Sequence, residues 1–241
     1  MRSLSLIALV AGSLAFFAIH ASAQSATFEV AQLGHPVGTA SFNFAATPDG
    51  FDSTSLVRVA VTGLNYAFSK TEQLNAANEL QHVQLSALVN GSAVHVTAAP
   101  DSAQLLLNVS ANGRSSTARL DQHPAAIFLP DFDPGALETL LALGVSRNNR
   151  DLWAILPKQS GAEPASVAPI QLATYADQQG TLDGKPITVH HLVATIAGAN
   201  TDLFSGPENQ LLQAELPQQG FALVRKGFVL KPPVKPSAPA S

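Results

Sequence analysis

The stretch KPITVHHLV, Lys185 to Val193, sets His190 beside His191 in a chain without cysteine. Imidazoles ligate metals and move protons near neutral pH, so an adjacent pair invites a metal centre or an acid–base site. The element that carries them decides which chemistry is open. Thr, Val and Ile around the pair mark a β-strand, in which successive side chains point to opposite faces. His191 is then expected beside Ile187, Val189 and Val193, and His190 beside Thr188, Leu192, Ala194 and Ile196. A regular strand cannot turn both rings onto one metal ion. At most one of them meets a cavity, and the sequence assigns a carboxylate partner to neither. His35, His82, His95 and His123 are scattered along the chain.

Two further groupings bear charge. DFDPG supplies Asp131 and Asp133, but a hard cation needs about six to eight oxygen ligands, and the remaining positions of a calcium loop are missing. Asp133 already has a role as the N-cap of a helix, so no metal site is expected. In ALVRKGF, alternation puts Arg225 with Phe221 and Leu223, and Lys226 with Ala222, Val224 and Phe228. One cation must therefore accompany an apolar face, by snorkelling or by pairing with a carboxylate such as Glu215 on the preceding strand. Anion binding is the sharper alternative. The chain lacks the Gly-x-Ser-x-Gly elbow, a phosphate loop, a dinucleotide fingerprint and a His-Glu-x-x-His helix. The acceptor triplets at Asn90 and Asn108 overlap strand and turn signals and carry no weight. No catalytic residue, ligand-binding residue or cofactor is assigned.

The N-terminus reads MRSLSLIALVAGSLAFFAIHASAQ, with Arg2, an apolar run and Ala21-Ser22-Ala23 at cleavage-site spacing. That is the pattern of a signal peptide over residues 1–23, its apolar core shorter than the roughly 20 residues that span a bilayer. The nearest later segment, ALETLLALGV, is interrupted by Glu138. The mature chain is expected to be periplasmic or extracellular, with no membrane span after cleavage. No cysteine means no disulfide, no thiolate metal site and no Cys nucleophile. With 13 Lys and Arg against 17 Asp and Glu, the formal charge of −4 provides no footprint for nucleic acid.

These residues must be positioned by strands. ATFEVAQLG, TASFNFAAT, TSLVRVAVTG and QLLLNVSANG alternate apolar and polar residues with the period of half-buried strands. Asp49-Gly50, Asn90-Gly91, Asn112-Gly113 and Asp183-Gly184 separate such runs and suit tight hairpin turns, and LGHPVG reads as a slightly longer connection. KTEQLNAANELQHVQ reads as two strand ends and a turn. In DFDPGALETLLALGV, Asp133 as N-cap, Pro134 at the first position, a Leu137/Leu140/Leu141 stripe and Gly144 as C-cap predict a helix from Pro134 to near Leu143. Strands resume in DLWAIL, VAPIQLATY, KPITVHHLVATI, NQLLQAEL and GFALVRKGFVL, after the loop PKQSGAEPASVAP. The expected fold is mainly β, a large curved antiparallel sheet with one short helix near 134–143. Residues 24–230 would form a single domain, and 231–241 a proline-rich disordered tail.

VGTASFNF near the start and NQLLQAELPQQGFALVRKGF near the end resemble the lipoprotein-carrier-like curved sheets of exported bacterial β-rich domains of unknown function. The resemblance implies a half-barrel meander with a helix near its concave face, able to shelter an acyl chain or another apolar ligand. The leading expectation is an exported non-catalytic binding module, holding a hydrophobic or lipid-like ligand or a partner protein on the concave sheet. Beside it stand a secreted hydrolase with a site at His190 or His191, and a structural or assembly protein of the cell envelope that uses its proline-rich tail.

Overall fold

The computed structural model describes residues 24–158 and 164–232. The expected signal segment 1–23, residues 159–163 of the expected loop and residues 233–241 of the tail lie outside them. Eight strands run as a meander: β1 Gln24–Gln32, β2 His35–Thr47, β3 Gly50–Val61, β4 Leu64–Asn75, β5 Leu80–Val89, β6 Ser92–Asp101, β7 Gln104–Ala111 and β8 Arg114–Asp121. Each pairs antiparallel with the next. Then come β9 Ala126–Phe128, helix α1 Pro134–Leu141 and a π-helical turn Ala142–Ser146. The second half contributes β10 Leu152–Pro157, β11 Ala165–Thr174, β12 Gln178–Leu182, β13 Lys185–Ile196, β14 Ala199–Ser205, β15 Leu211–Leu216, β16 Phe221–Arg225 and β17 Phe228–Leu230.

The two halves join where β16 pairs with β1, so one mixed sheet of 17 strands runs through the described residues. It curls without closing: β9 approaches β5 and β11 approaches β8, with no strand ladder between them. All pairings are antiparallel except β9 with β10. That exception departs from the expected meander because the connection passes through α1, a crossover long enough to return the chain in its original direction.

Turn chemistry accounts for most of the register. Asn90 and Gly91 (φ 49° and 85°), Asn112 and Gly113 (52° and 72°) and Asp183 and Gly184 (51° and 77°) form two-residue turns with both residues left-handed. LGHPVG is tighter than expected, turning at Leu33-Gly34 alone. The fourth expected dipeptide behaves differently. Pro48 and Asp49 make that turn and Gly50 opens β3, where a Cβ would stand 2.1 Å from the Leu74 carbonyl oxygen. Close approach of β4, together with a φ of 155°, requires that glycine, although it lies outside the turn itself.

Alternation builds two cores. The main core lies on the concave side, from Phe28, Phe42 and Val57 through Leu107 to Ala194 and Leu223. A smaller cluster of Val189, Phe204, Leu212 and Phe228 lies on the other face of β13–β15 and includes β17. Helix α1 packs into the main core, with every one of its residues buried. Asp133 caps it as expected, Oδ1 accepting from the Gly135 and Ala136 amides at 2.9 and 3.3 Å. The expected stop at Gly144 does not occur, since Gly144 sits inside the π-helical turn and Arg147 ends it. Its missing side chain serves packing: a Cβ there would stand 2.4 Å from Leu172 Cδ1 and 3.0 Å from Leu152 Cδ1.

Leu140, 0% exposed in the last turn of α1, measures how firmly the helix is seated. Leu140→Ala is expected to lower the unfolding free energy by about 2–5 kcal/mol in urea titration. Leu56→Ala, on the 58% exposed outer face, is expected to change it by about 0.5 kcal/mol or less.

Candidate functional site

The two histidines diverge as strand geometry requires. His191 lies on the face of Val189 and the smaller core, its ring stacked on Phe204 with centroids 4.7 Å apart and its Nε2 2.7 Å from Asp202 Oδ1. Tyr175 lies beside it, at 5.1 Å between centroids. His190 lies on the opposite face of the strand and pairs with Asp177 at 2.9 Å through Nδ1, largely in solvent. Each imidazole thus has its own carboxylate. Both partners come from other strands or loops, which is why sequence reasoning could not assign them.

Among the described residues, no three His, Asp or Glu side chains gather as a metal site. Asp131 and Asp133 separate: the first is exposed, while the second is 1% exposed beneath the sheet. There it meets a cluster that sequence reasoning missed. Lys70 Nζ lies 2.6 Å from Asp133 Oδ2 and donates to Glu72 Oε2 at 2.9 Å, with all three side chains buried. Burial alone would lower the Lys70 ammonium, but Asp133 and Glu72 outweigh it and hold the group above its ordinary value. Burial raises the Glu72 carboxyl against the pull of Lys70. Directly across on β3, Ser53 opposes Glu72 and Ser55 opposes Lys70. A signal was present: alternation through Tyr66, Phe68, Lys70, Glu72 and Leu74 already puts both charges on the apolar face.

The most site-like feature is a cleft of about 210 Å³ between α1 and the ends of β2–β4. Phe44, Ala46, Phe51, Leu74 and Ala142 supply its apolar wall. Glu138, on α1, supplies the carboxyl: Gln24 Nε2 donates to Oε1 and the Leu211 amide donates to Oε2 at 2.8 Å. Burial pushes Glu138 up from its ordinary value to about 7, although both hydrogen bonds and the nearby Arg225 favour the charged form. In the sequence, Glu138 was only the charge that interrupts an apolar run. Its position inside a helix packed on all sides made it a buried acid.

Arg225 accompanies the apolar face with Phe221 and Leu223, as alternation required. It does not pair with Glu215, which is opposite Ala222. Glu215 instead accepts from Gln213 Nε2 at 2.6 Å. Arg225 Nη1 is buried and makes no hydrogen bond.

Glu138 makes stability depend on pH with a definite sign. Below about 4.5 the carboxyl is protonated in both states. Between about 4.5 and 7 the unfolded chain ionises while the folded one holds its proton, so stability falls as pH rises, by on the order of 3 kcal/mol over the window. Glu138→Gln is expected to flatten the profile between pH 4.5 and 7 in urea unfolding, leaving the same-signed contribution of Glu72. A slope equal to that of the unmodified protein would refute the assignment.

No family model matches the chain, and no curated protein matches it. Among solved structures, a DUF1089 family protein from Pseudomonas aeruginosa is similar at 11% identity, with 75% of this chain and 90% of that chain covered and a TM-score of 0.47. That neighbour is a β-rich domain of unknown function with a large curved sheet.

Proposed function

We propose that this protein is an exported, non-catalytic binding module that holds a small hydrophobic group, or one end of a lipid-like chain, in the cleft beside Glu138. The observation that carries the reading is an apolar wall with one buried protonatable carboxyl, Glu138, behind it, while Glu208 lines the same cleft at a less buried position. Small-molecule sites are mostly apolar with a few placed polar groups. The sheet as a whole offers less room than its curvature suggests, because α1 occupies the concave face. A cleft of about 210 Å³ fits a short or partly inserted ligand, being below the roughly 300–1,000 Å³ of pockets for drug-sized molecules. Export rests on the residue pattern of 1–23.

The test uses N-phenyl-1-naphthylamine, a neutral apolar fluorophore, with native mass spectrometry of the purified protein. Saturable fluorescence is expected, weaker above pH 7 where Glu138 ionises. Ala46→Trp, which fills the cleft from an exposed position, is expected to weaken binding about tenfold at an unchanged Tm. Absence of saturable binding, or equal binding by Ala46→Trp, would overturn the reading.

One observation favours a second reading, a hydrolase. Asp202 orients His191 as the carboxylate of a catalytic dyad orients its base. Among the described residues no serine or threonine hydroxyl hydrogen-bonds to that ring. Esters, peptides and glycosides screened with the unmodified protein and with His191→Ala decide the matter: turnover lost in the variant supports it, and no turnover in the unmodified protein ends it.

A further inference from the structure

β16 stops at Arg225, opposite Phe28 of β1, so residues 24–26 of β1 have β2 on one side and no strand on the other. The gap is a cavity of about 360 Å³. Arg225 and Lys226 line it, together with the hydroxyl-bearing residues Ser25, Thr27 and Ser41, and with Asp183. Alternation would send Arg225 and Lys226 to opposite faces, but it ends at Arg225. Lys226 belongs to the turn before β17, its amide held by the Thr27 carbonyl at 2.9 Å. Both cations therefore border one space.

We propose that this gap is a binding site for a compact oxyanion of the phosphate or phosphomonoester class, held by Arg225 and Lys226. Four observations converge on it. Arg225 Nη1 is buried without a hydrogen bond, and a buried unpaired donor carries a desolvation cost that a charged acceptor removes. Among the described residues neither Arg225 nor Lys226 forms an ion pair. The guanidinium presents forked donors that match phosphate oxygens, while the ammonium adds a point charge. Hydroxyls complete the lining as adaptable donors.

One carboxylate opposes the anion. Asp183 is fixed at the β12–β13 turn by its backbone N–H, which donates a hydrogen bond to the Gly227 carbonyl at 2.9 Å, with its Oδ1 2.2 Å from where a Gly227 Cβ would stand. Glu138 lies behind Arg225, close enough to feel its charge. Two cations against Asp183 leave the lining with a net positive charge. This site is independent of the apolar cleft, although Gln24 and Phe44 of the cleft sit one inward rung along β1 and β2 from Ala26 and Phe42 of the gap.

Isothermal titration tests it at constant ionic strength, with inorganic phosphate in one arm and monomeric decyl phosphate in the other. Saturable binding of phosphate assigns the site to a free anion; binding of decyl phosphate alone assigns it to the headgroup of an amphiphile. Arg225→Gln is expected to weaken either by about tenfold or more, as loss of charge-assisted bonds does. Lys226→Gln, at an exposed turn position that leaves the fold intact, is expected to weaken it by about threefold to tenfold. Asp183→Asn is expected to tighten it. No saturable binding in either arm, or affinities unchanged in both Arg225→Gln and Lys226→Gln, would overturn the proposal.

Discussion

Asp133 holds two parts of the molecule together at once. One carboxylate oxygen satisfies amides at the start of α1, and the other meets the Lys70 ammonium 2.6 Å away on β4. The helix is thereby tied to the sheet through a buried charge that neither element could leave unpaired. Taking ions out of water is expensive, and breaking a buried pair typically costs about 3–5 kcal/mol because the remaining charge is stranded. Greasy burial drives the helix into the concave face; the Lys70–Asp133 contact specifies where along the sheet its first turn sits. The cleft, the acidity of Glu138 and the filling of the concave face all follow from that position.

Curvature and filling have opposite consequences for function. A curved sheet of this size could enclose a large ligand, but α1 and the π-helical turn put Ala136, Leu140, Leu141 and Leu143 into that space. Open volume survives where the helix runs out, beside Phe44 and Phe51, and where β16 stops short of the start of β1. Both openings are products of ended elements. Each opening carries a polar group: the Glu138 carboxyl, which burial pushes up, and the Arg225 guanidinium, whose Nη1 is buried without a hydrogen bond. The two histidines occupy a different region, around β13, where each has a carboxylate and one has an aromatic stack.

Much of this was legible residue by residue. Period-2 alternation placed Phe28, Phe42, Val57 and Leu107 in the core, and it separated His190 from His191 correctly. Asn-Gly and Asp-Gly dipeptides located three hairpins because few other residues tolerate two successive left-handed conformations. Asp133 and Pro134 located the helix start. The misses share a cause. Gly144 looked like a cap, yet its role is set by Leu172 and Leu152 from β10 and β11. Glu215 was one expected partner for whichever cation, Arg225 or Lys226, accompanies the apolar face, yet strand register put it opposite Ala222.

The sequence by itself determined which faces of the strands are apolar, where the chain turns and where the helix begins, because these depend on neighbours within a few residues. Beyond local contacts such as the Asp133 cap, tertiary structure decided what the buried polar side chains meet. Asp133 beside Lys70, Gln24 and Leu211 on Glu138, Asp177 on His190 and Asp202 on His191 are brought in by strand pairing and by the seating of α1, from up to 114 residues away in the case of Gln24 and Glu138. A buried charge is identified by its surroundings, and those surroundings exist only once the sheet has curled around the helix.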